Sequence, residues 1–399
     1  MSEFKTTLGF QDCWLPRTSR TVTAPASGSF GVSDGAPQDS DGPKASNGGG
    51  GSRSSHAASI SAADKARLAR VVKGTPEVMV KVSRPAKNDK SGNPIKVTRA
   101  TEALRVSEHL AYISRNGKLD VENDRGEVFT GGQEVAAIYR EWMNSHDEDR
   151  DNHRATDRTR ISTSMMFSMP AHVNGEAVKD AVRALGEQEF KGRHDYVMAL
   201  HTDTQHPHVH LTVRTIGQDG ERLNLRKADL QHLRDTFAEK LRQRGIEAEA
   251  TPRHARGKTR KGEATPVYKI RQRGRRPLAD ARKERQVQRE LKDNAGRLAQ
   301  KPWDDALVAR RNRVMTTYGN AARVLAASDD PADRELADAT QRFTARLTDT
   351  TTQRLQMAQS LDQGGQGWAQ PSRDGKDRGD SRPEVSWERE RGSGKDRER

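Results

Sequence analysis

Apolar positions along this 399-residue chain follow two rhythms, and their alternation outlines one domain in the middle of the sequence. The run after Pro76, Glu77-Val-Met-Val-Lys-Val-Ser83, has the two-residue period and β-branched content of a strand. Ala103, Val106, Leu110 and Ile113 then recur at three- and four-residue intervals, which predicts a helix over 98–112 with one buried stripe. The charged stretch 124–160 reads as loop, with a helix near 134–145. A strand over 161–169 stops at Pro170, and Val178, Ala181, Val182 and Leu185 mark an amphipathic helix begun near Asn174. Next come a strand ending at His201 and another over 208–215. The turn Gly217-Gln-Asp-Gly220 leads into a short return strand near 222–225. Leu230, Leu233, Phe237 and Leu241 form the last helix, ended by Gly245. The order β-α-β-α-β-β-β-α predicts an α+β domain over 76–260: a central, largely antiparallel five-stranded sheet flanked by helices.

Outside that domain the pattern fades. Residues 1–75 form a Ser/Gly/Pro-rich arm with too little apolar surface to offset its ordering entropy, so disorder is expected there. Helical spacing resumes after 278, with Leu336, Ala339, Phe343 and Leu347 as its clearest stripe, so 261–362 is expected to be a basic, helical DNA- or partner-binding region. Residues 363–399 read as a disordered, charged tail.

Composition narrows the partners. Only 32% of residues are hydrophobic, and the mean hydropathy is -0.98, which suits one core with long polar flanks. A formal charge of +14 points to a polyanionic partner. No segment approaches the length of a membrane span, and no basic-then-apolar leader opens the chain, so neither membrane insertion nor a secretory signal is expected. A single cysteine, Cys13, excludes a disulfide framework and suits a reducing cytoplasm. The segment 256–292 holds fourteen Lys or Arg against four Asp or Glu. Its densest part contains Lys269, Arg271, Arg273, Arg275 and Arg276, which are candidate phosphate contacts.

The stretch His201-Thr-Asp-Thr-Gln-His-Pro-His-Val-His210 concentrates four of the twelve histidines in ten residues, directly after an apolar run. On a strand His208 and His210 project to one face, and a neighbouring strand would bring His201 to the same point. Three imidazoles there suit one divalent ion. Asp203 sits near enough in sequence to orient a ring or accept a proton. A solvated surface cluster is the plainer alternative, and the apolar context disfavours it. Tyr112 falls outside the buried stripe of its helix, on the side of Arg105 and Glu108, so its hydroxyl is expected to be exposed.

Three segments resemble the relaxase/mobilization nuclease family (MOBP class, HUH endonuclease superfamily), which includes the border endonucleases of T-DNA transfer. Leu110-Ala-Tyr-Ile-Ser-Arg-Asn-Gly-Lys-Leu119 is similar to the family's nucleophile motif, with Tyr112 as the tyrosine and Arg115 and Lys118 as nearby DNA-binding cations. Met165-Met-Phe-Ser-Met-Pro170 is similar to the motif whose serine, here Ser168, contacts DNA near the nick. Residues 201–210 fit H-x-D-x-x-(N/H)-x-H-x-H, with His206 at the variable position. The likeness covers 76–260.

The resemblance implies a five-stranded antiparallel sheet with the two-histidine strand at its centre. It implies a site- and strand-specific transesterase acting at an origin of transfer. Tyr112 would leave a 5′-phosphotyrosine and a free 3′-hydroxyl, and the exchange would be reversible without ATP. His201, His208 and His210 would hold Mg²⁺ or Mn²⁺. A phenol ionises near pH 10, so Asp203 or His206 would assist Tyr112. Arg193, Arg214, Arg222 and Arg226, near the histidine strands, are candidate clamps on the DNA backbone. Accessory relaxosome proteins and a type IV secretion coupling protein are the implied partners. The implied location is the bacterial cytoplasm, with export to a recipient on the transferred strand; the tail is similar to secretion signals. The chain departs from the family in placing more than a hundred residues before the tyrosine, as an added arm or a start assigned too early. It also lacks a G-x-x-x-x-G-K-(S/T) loop for unwinding. Alternative readings are a rolling-circle replication initiator, or a non-catalytic nucleic-acid-binding protein with a structural metal.

Overall fold

The computed structural model describes residues 60–83, 88, 91–257, 265–347 and 352–362. The arm over 1–59, the tail over 363–399 and part of the basic segment (258–264) lie outside the described residues.

The core is a six-stranded sheet with helices on both faces. Its strands are β1 (Met79–Val82), β2 (Val121–Asn123), β3 (Val128–Phe129), β4 (Ser162–Ser168), β5 (Tyr196–His201) and β6 (His208–Arg214). They lie in the order β1-β4-β6-β5-β2-β3, every neighbouring pair antiparallel. The two-histidine strand β6 is therefore central, as expected. It is buried along its whole length, between β4 and β5.

Register decides which residues share a face. Ser168 and Met166 of β4 stand opposite His208 and His210 of β6, and His201 and Ala199 of β5 stand opposite the same two histidines. Over this face lie α2 (Arg99–Ile113) and α3 (Gly131–Asp151). Val106, Leu110, Ile113, Ile138 and Trp142 pack there with Val197 and Ala199. The predicted stripe forms, and the helix starts as a capping box in which the Thr98 side chain and Thr101 satisfy each other's backbone N–H.

The opposite face carries Met165, Phe167, Met198, Val209, Leu211 and Val213, covered by α4 (Gly175–Glu189) and α5 (Lys227–Arg242). Asn174 caps α4 by accepting from the N–H groups of Glu176 and Ala177. Gly186 lies inside α4 despite the propensity cost, because a Cβ there would come within 2.9 Å of the Tyr196 ring.

Three sequence expectations are corrected. The sheet has six strands, not five. The return strand at 222–225 is only a single bridge, Ile216 to Arg222, while β2 and β3 arise just before and within the stretch that read as charged loop. Glu122 obscured β2: it is a buried carboxylate in a three-residue strand, tolerated because Arg183 and Lys179 pair with it. Thirdly, a helix, α1 (Ala62–Lys73), occupies the end of the supposed arm. It is capped by Ser61 and Gly74, and it buries Leu68 and Val71 in a cluster with Tyr318, Leu325 and Ala337. Its partners lie about 250 positions further along, beyond any local window. Arg70 also pairs with buried Glu249 at 2.7 Å, fastening α1 to the end of the sheet domain.

The helices after the sheet are α6 (Thr265–Gln272), α7 (Leu278–Asp293), α8 (Pro302–Ala326), α9 (Pro331–Ala345) and α10 (Gln353–Asp362). Leu336, Phe343 and Leu347 pack against the α1 cluster, while Val287 of α7 is buried with Met357 and Ala358 of α10. Among the described residues no helix is long and apolar enough to cross a membrane.

Candidate active site

His201 and His208 face each other across β5 and β6, and His210 follows two residues on from the same face. All three are buried, and one ring nitrogen from each lies within 4.8 Å of the others; among the described residues this is the one such cluster of metal-ligand type. Their outer contacts fix their orientation. His201 Nε2 donates to the Ile113 carbonyl (2.8 Å), one of the last carbonyls of α2 that the helix itself leaves unpaired, and His208 Nδ1 donates to the His206 carbonyl (3.1 Å).

Among the described residues these bonds leave His201 Nδ1 and His208 Nε2 buried without a partner, and His210 has neither nitrogen bonded. Buried polar atoms are nearly always satisfied, so orphaned nitrogens converging on one point fit a divalent cation. Burial also pushes the histidines toward the neutral, ligating form: His201 to about 4, His208 downward, and His210 well below its usual value, with the neighbouring imidazoles adding to the effect.

Tyr112 comes from the last turn of α2 and meets this cluster. Its ring centroid is 5.4 Å from that of His210 and 5.8 Å from that of His201, both edge-on. Its side chain is half-buried against the histidines, and its hydroxyl, expected to be exposed, has no hydrogen bond among the described residues. The chain then turns through three consecutive left-handed residues, Arg115 (φ 51°), Asn116 (φ 58°) and Gly117 (φ 81°). A Cβ at Gly117 would lie 2.3 Å from the backbone nitrogen of Gly132, so only glycine fits. Such conformations cost energy at Arg115 and Asn116 and concentrate at functional sites. Here the turn sets the Arg115 guanidinium 4.9 Å from the centre of the Tyr112 ring and 2.5 Å from Asp203. Lys118 is exposed in the same turn.

The other expected site residues divide. Asp203 is half-exposed, and its hydrogen bond goes to Arg115, not to a histidine or to Tyr112. His206 is buried beside the Met169 backbone with Nε2 unpartnered, outside the triad. The Ser168 hydroxyl shares the triad's face but donates to the Pro207 carbonyl (3.0 Å), closing β4 onto the loop before β6.

Three of the four candidate arginine clamps lie at the other end of β6. Arg214 is at the far end of β6, roughly 20 Å from His208 by strand rise. It is buried there in ion pairs with Asp149 (2.7 Å) and Asp195 (2.9 Å). Arg193 and Arg222 lie at that same end, Arg193 through its carbonyl to Gln218 and Arg222 through a bond to Thr159. Arg226 opens α5, its backbone N–H donating to Asp229. Near 270, Arg271 pairs with Asp280 and Arg276 with Glu284, Lys269 is half-buried, and Arg273 and Arg275 are exposed.

Sequence reasoning missed His109. One helical turn before Tyr112, it is linked through Nε2 to the Thr212 hydroxyl of β6 (2.8 Å), and its ring lies 6.3 Å from that of His210. Burial and His201 lower its pKa to about 4. Its spacing of three from Tyr112 was the available signal.

Residues 112–246 match the family model described as Relaxase: MobA/VirD2-like, nuclease domain. The chain is 28% identical over 169 residues to the T-DNA border endonuclease VirD2 of Rhizobium radiobacter, covering 38% of this chain and 39% of that protein. The counterpart from Agrobacterium fabrum is 25% identical over 170 residues, 39% of this chain and 38% of the relative. That of Rhizobium rhizogenes is 25% identical over 168 residues, 38% of each. The likeness thus spans about two fifths of the length of these relatives, and no solved structure matches. The matched segment begins at Tyr112 and encloses the triad, the Arg115 turn and β4 to β6. Residues 112–246 are therefore similar to the nuclease domain of MobA/VirD2-like relaxases.

Proposed function

We propose that the protein is a conjugative or mobilization relaxase, which nicks one DNA strand at an origin of transfer through Tyr112. The observation that best supports this reading is the placement of the Tyr112 ring edge-on to His201 and His210, whose inward nitrogens have no partner among the described residues. In the reaction the Tyr112 oxygen bonds to phosphorus and the bond to the 3′-oxygen breaks. The proton lost by the phenol is balanced by the one gained at the new 3′-hydroxyl. The 5′-phosphotyrosine preserves the phosphodiester, so the same chemistry run backwards religates the strand. His201, His208 and His210 would hold Mg²⁺ or Mn²⁺, which when bound supplies charge stabilisation at the phosphate oxygens. Arg115, released from Asp203, would meet that phosphate beside Tyr112, a role supported by its 4.9 Å approach to the Tyr112 ring.

On this reading the covalently attached chain pilots the strand through a type IV secretion channel. A coupling protein and accessory relaxosome proteins are its partners, and the bacterial cytoplasm is where it starts. The MobA/VirD2-like match favours a relaxase over a rolling-circle initiator. The test is a denaturing gel of purified chain incubated with labelled single-stranded origin DNA and Mn²⁺. A covalent adduct on the 5′ end should form with wild type, vanish with EDTA, and be absent from Tyr112→Phe and His208→Ala. An adduct that persists in Tyr112→Phe would move the nucleophile elsewhere. DNA binding without any adduct would leave a non-catalytic binding protein.

A further inference from the structure

Helix α7 separates its charges by face. On its inner side Asp280 pairs with Arg271, Glu284 with Arg276, and Glu290 with Arg354, while Val287 is buried against α10. Its outer side presents Arg282, Arg285, Arg289 and Lys292 at intervals of three, four and three, all exposed. None of the four has a carboxylate partner among the described residues. Arg285 and Arg289 bond only to carbonyls one turn back, those of Ala281 (3.3 Å) and Arg285 (3.4 Å). With Gln286 and Gln288 they line a shallow concavity that contains no acid.

An ordinary solvated helix intersperses acids and bases at intervals of four, because like charges at that spacing repel. Here three of the four acids of α7, Asp280, Glu284 and Glu290, are drawn inward and neutralised by arginines of other elements. That leaves four cations in a row over about 15 Å, with the exposed Asp293 at one end. We infer that the outer face of α7 is a binding surface for the phosphate backbone of duplex DNA. Its chemistry selects that occupant. Single strands are held by aromatic platforms, and α7 has no aromatic residue. A lipid surface needs an apolar face to insert, but that of α7 is turned inward, and Leu278 is the one large apolar residue on its outer side. A straight row of about 15 Å suits the two phosphate walls of a groove about 12 Å wide. The surface lies outside residues 112–246 and within the basic stretch 256–292, but it uses residues other than the candidate contacts near 270, of which Arg271 and Arg276 neutralise α7's own acids.

The choice of DNA rests on the proposed function, and the experiment separates the two. Binding of the full chain to a fluorescent DNA duplex of about 30 base pairs (two to three helical turns) would be measured across a salt series. The quadruple variant Arg282→Gln, Arg285→Gln, Arg289→Gln, Lys292→Gln keeps good helix formers, and the all-lysine version restores charge. The slope of log K against log salt should fall by roughly 3 to 4 in the glutamine variant, near 0.9 per lost contact, and recover in the lysine version. An unchanged slope, with helix content intact by circular dichroism, overturns the inference. So does a loss confined to polyglutamate or to phosphatidylserine vesicles, which would make the partner an acidic protein or a membrane. A wild-type chain that shows the slope but forms no Tyr112 adduct would overturn the nuclease reading and leave the surface standing.

Discussion

The two ends of β6 face opposite problems. At its start His208 and His210 are buried with ring nitrogens that no described residue satisfies. At its finish Arg214 is equally buried, but Asp149 and Asp195 answer its charge and His194 bonds its carbonyl. One strand thus carries a closed polar network and an open one. The closed end stabilises the fold. The open end sits under Tyr112, and its converging nitrogens fit a divalent cation.

Placing leucine at either end would break this contrast, with the largest effects expected. His210→Leu removes polar atoms that have no partner, so stability without metal should change by only about 1 kcal/mol or rise. Adduct formation should fall on the order of 100-fold or more, and the rise in Tm on adding Mn²⁺ should disappear. Arg214→Leu leaves the Asp149 carboxylate buried and unpaired, which costs about 3–5 kcal/mol, or roughly 10 °C in Tm. At a temperature where that variant is still folded, its adduct should form within a few-fold of the normal rate. If His210→Leu is the destabilised protein and Arg214→Leu the inactive one, the two ends have been assigned the wrong way round.

A smaller effect separates two roles for Asp203. A general base contributes about 10²–10⁴ in rate. A half-exposed partner that only holds Arg115 is worth about 0.2–1 kcal/mol. The 2.5 Å contact with Arg115 supports the second, so Asp203→Asn should slow nicking less than 10-fold, by roughly the 1.4 kcal/mol equivalent at most. Arg115→Gln should weaken it further than Asp203→Asn does, chiefly in KM. A loss beyond 100-fold in Asp203→Asn, with a changed pH profile, would restore the base.

Residue by residue, legibility followed locality. Helix α2, its stripe and the pairing of His201 with the His208–His210 strand are set by contacts within one element or between neighbours, and each was readable. Arg214 was misread because its partners are 65 and 19 positions away. Its proximity in sequence to the histidines became a strand's length in space. Helix α1 and strand β2 failed for a related reason, since Leu68 and Glu122 are explained only by side chains brought from other elements. His109 had a legible spacing, but its significance depends on Thr212, a hundred residues later.

The smallest expected effect concerns a histidine held in the opposite charge state from the triad. His232 on α5 bonds both carboxylate oxygens of Glu189 on α4 (3.0 and 3.1 Å), and the Thr236 hydroxyl donates to one of them. The hydrogen bond to Glu189 raises the His232 pKa. For Glu189 burial works upward, but the bond from His232 leaves its pKa lowered overall. The raised histidine stabilises fully below its unfolded value of 6.5 and loses that contribution as pH rises through its folded value. The lowered glutamate stabilises fully above its unfolded value of 4.5 and loses it as pH falls through its folded value. The pair should therefore help most between pH 4.5 and 6.5. His232 is more than half exposed, so solvent screening limits the gain to about 1 kcal/mol or less. Thermal melts of wild type and His232→Gln across pH should differ most inside that window and converge above it. A difference that instead grows toward pH 8 would mean the neutral imidazole is the form the fold prefers, placing His232 with the triad's kind of histidine.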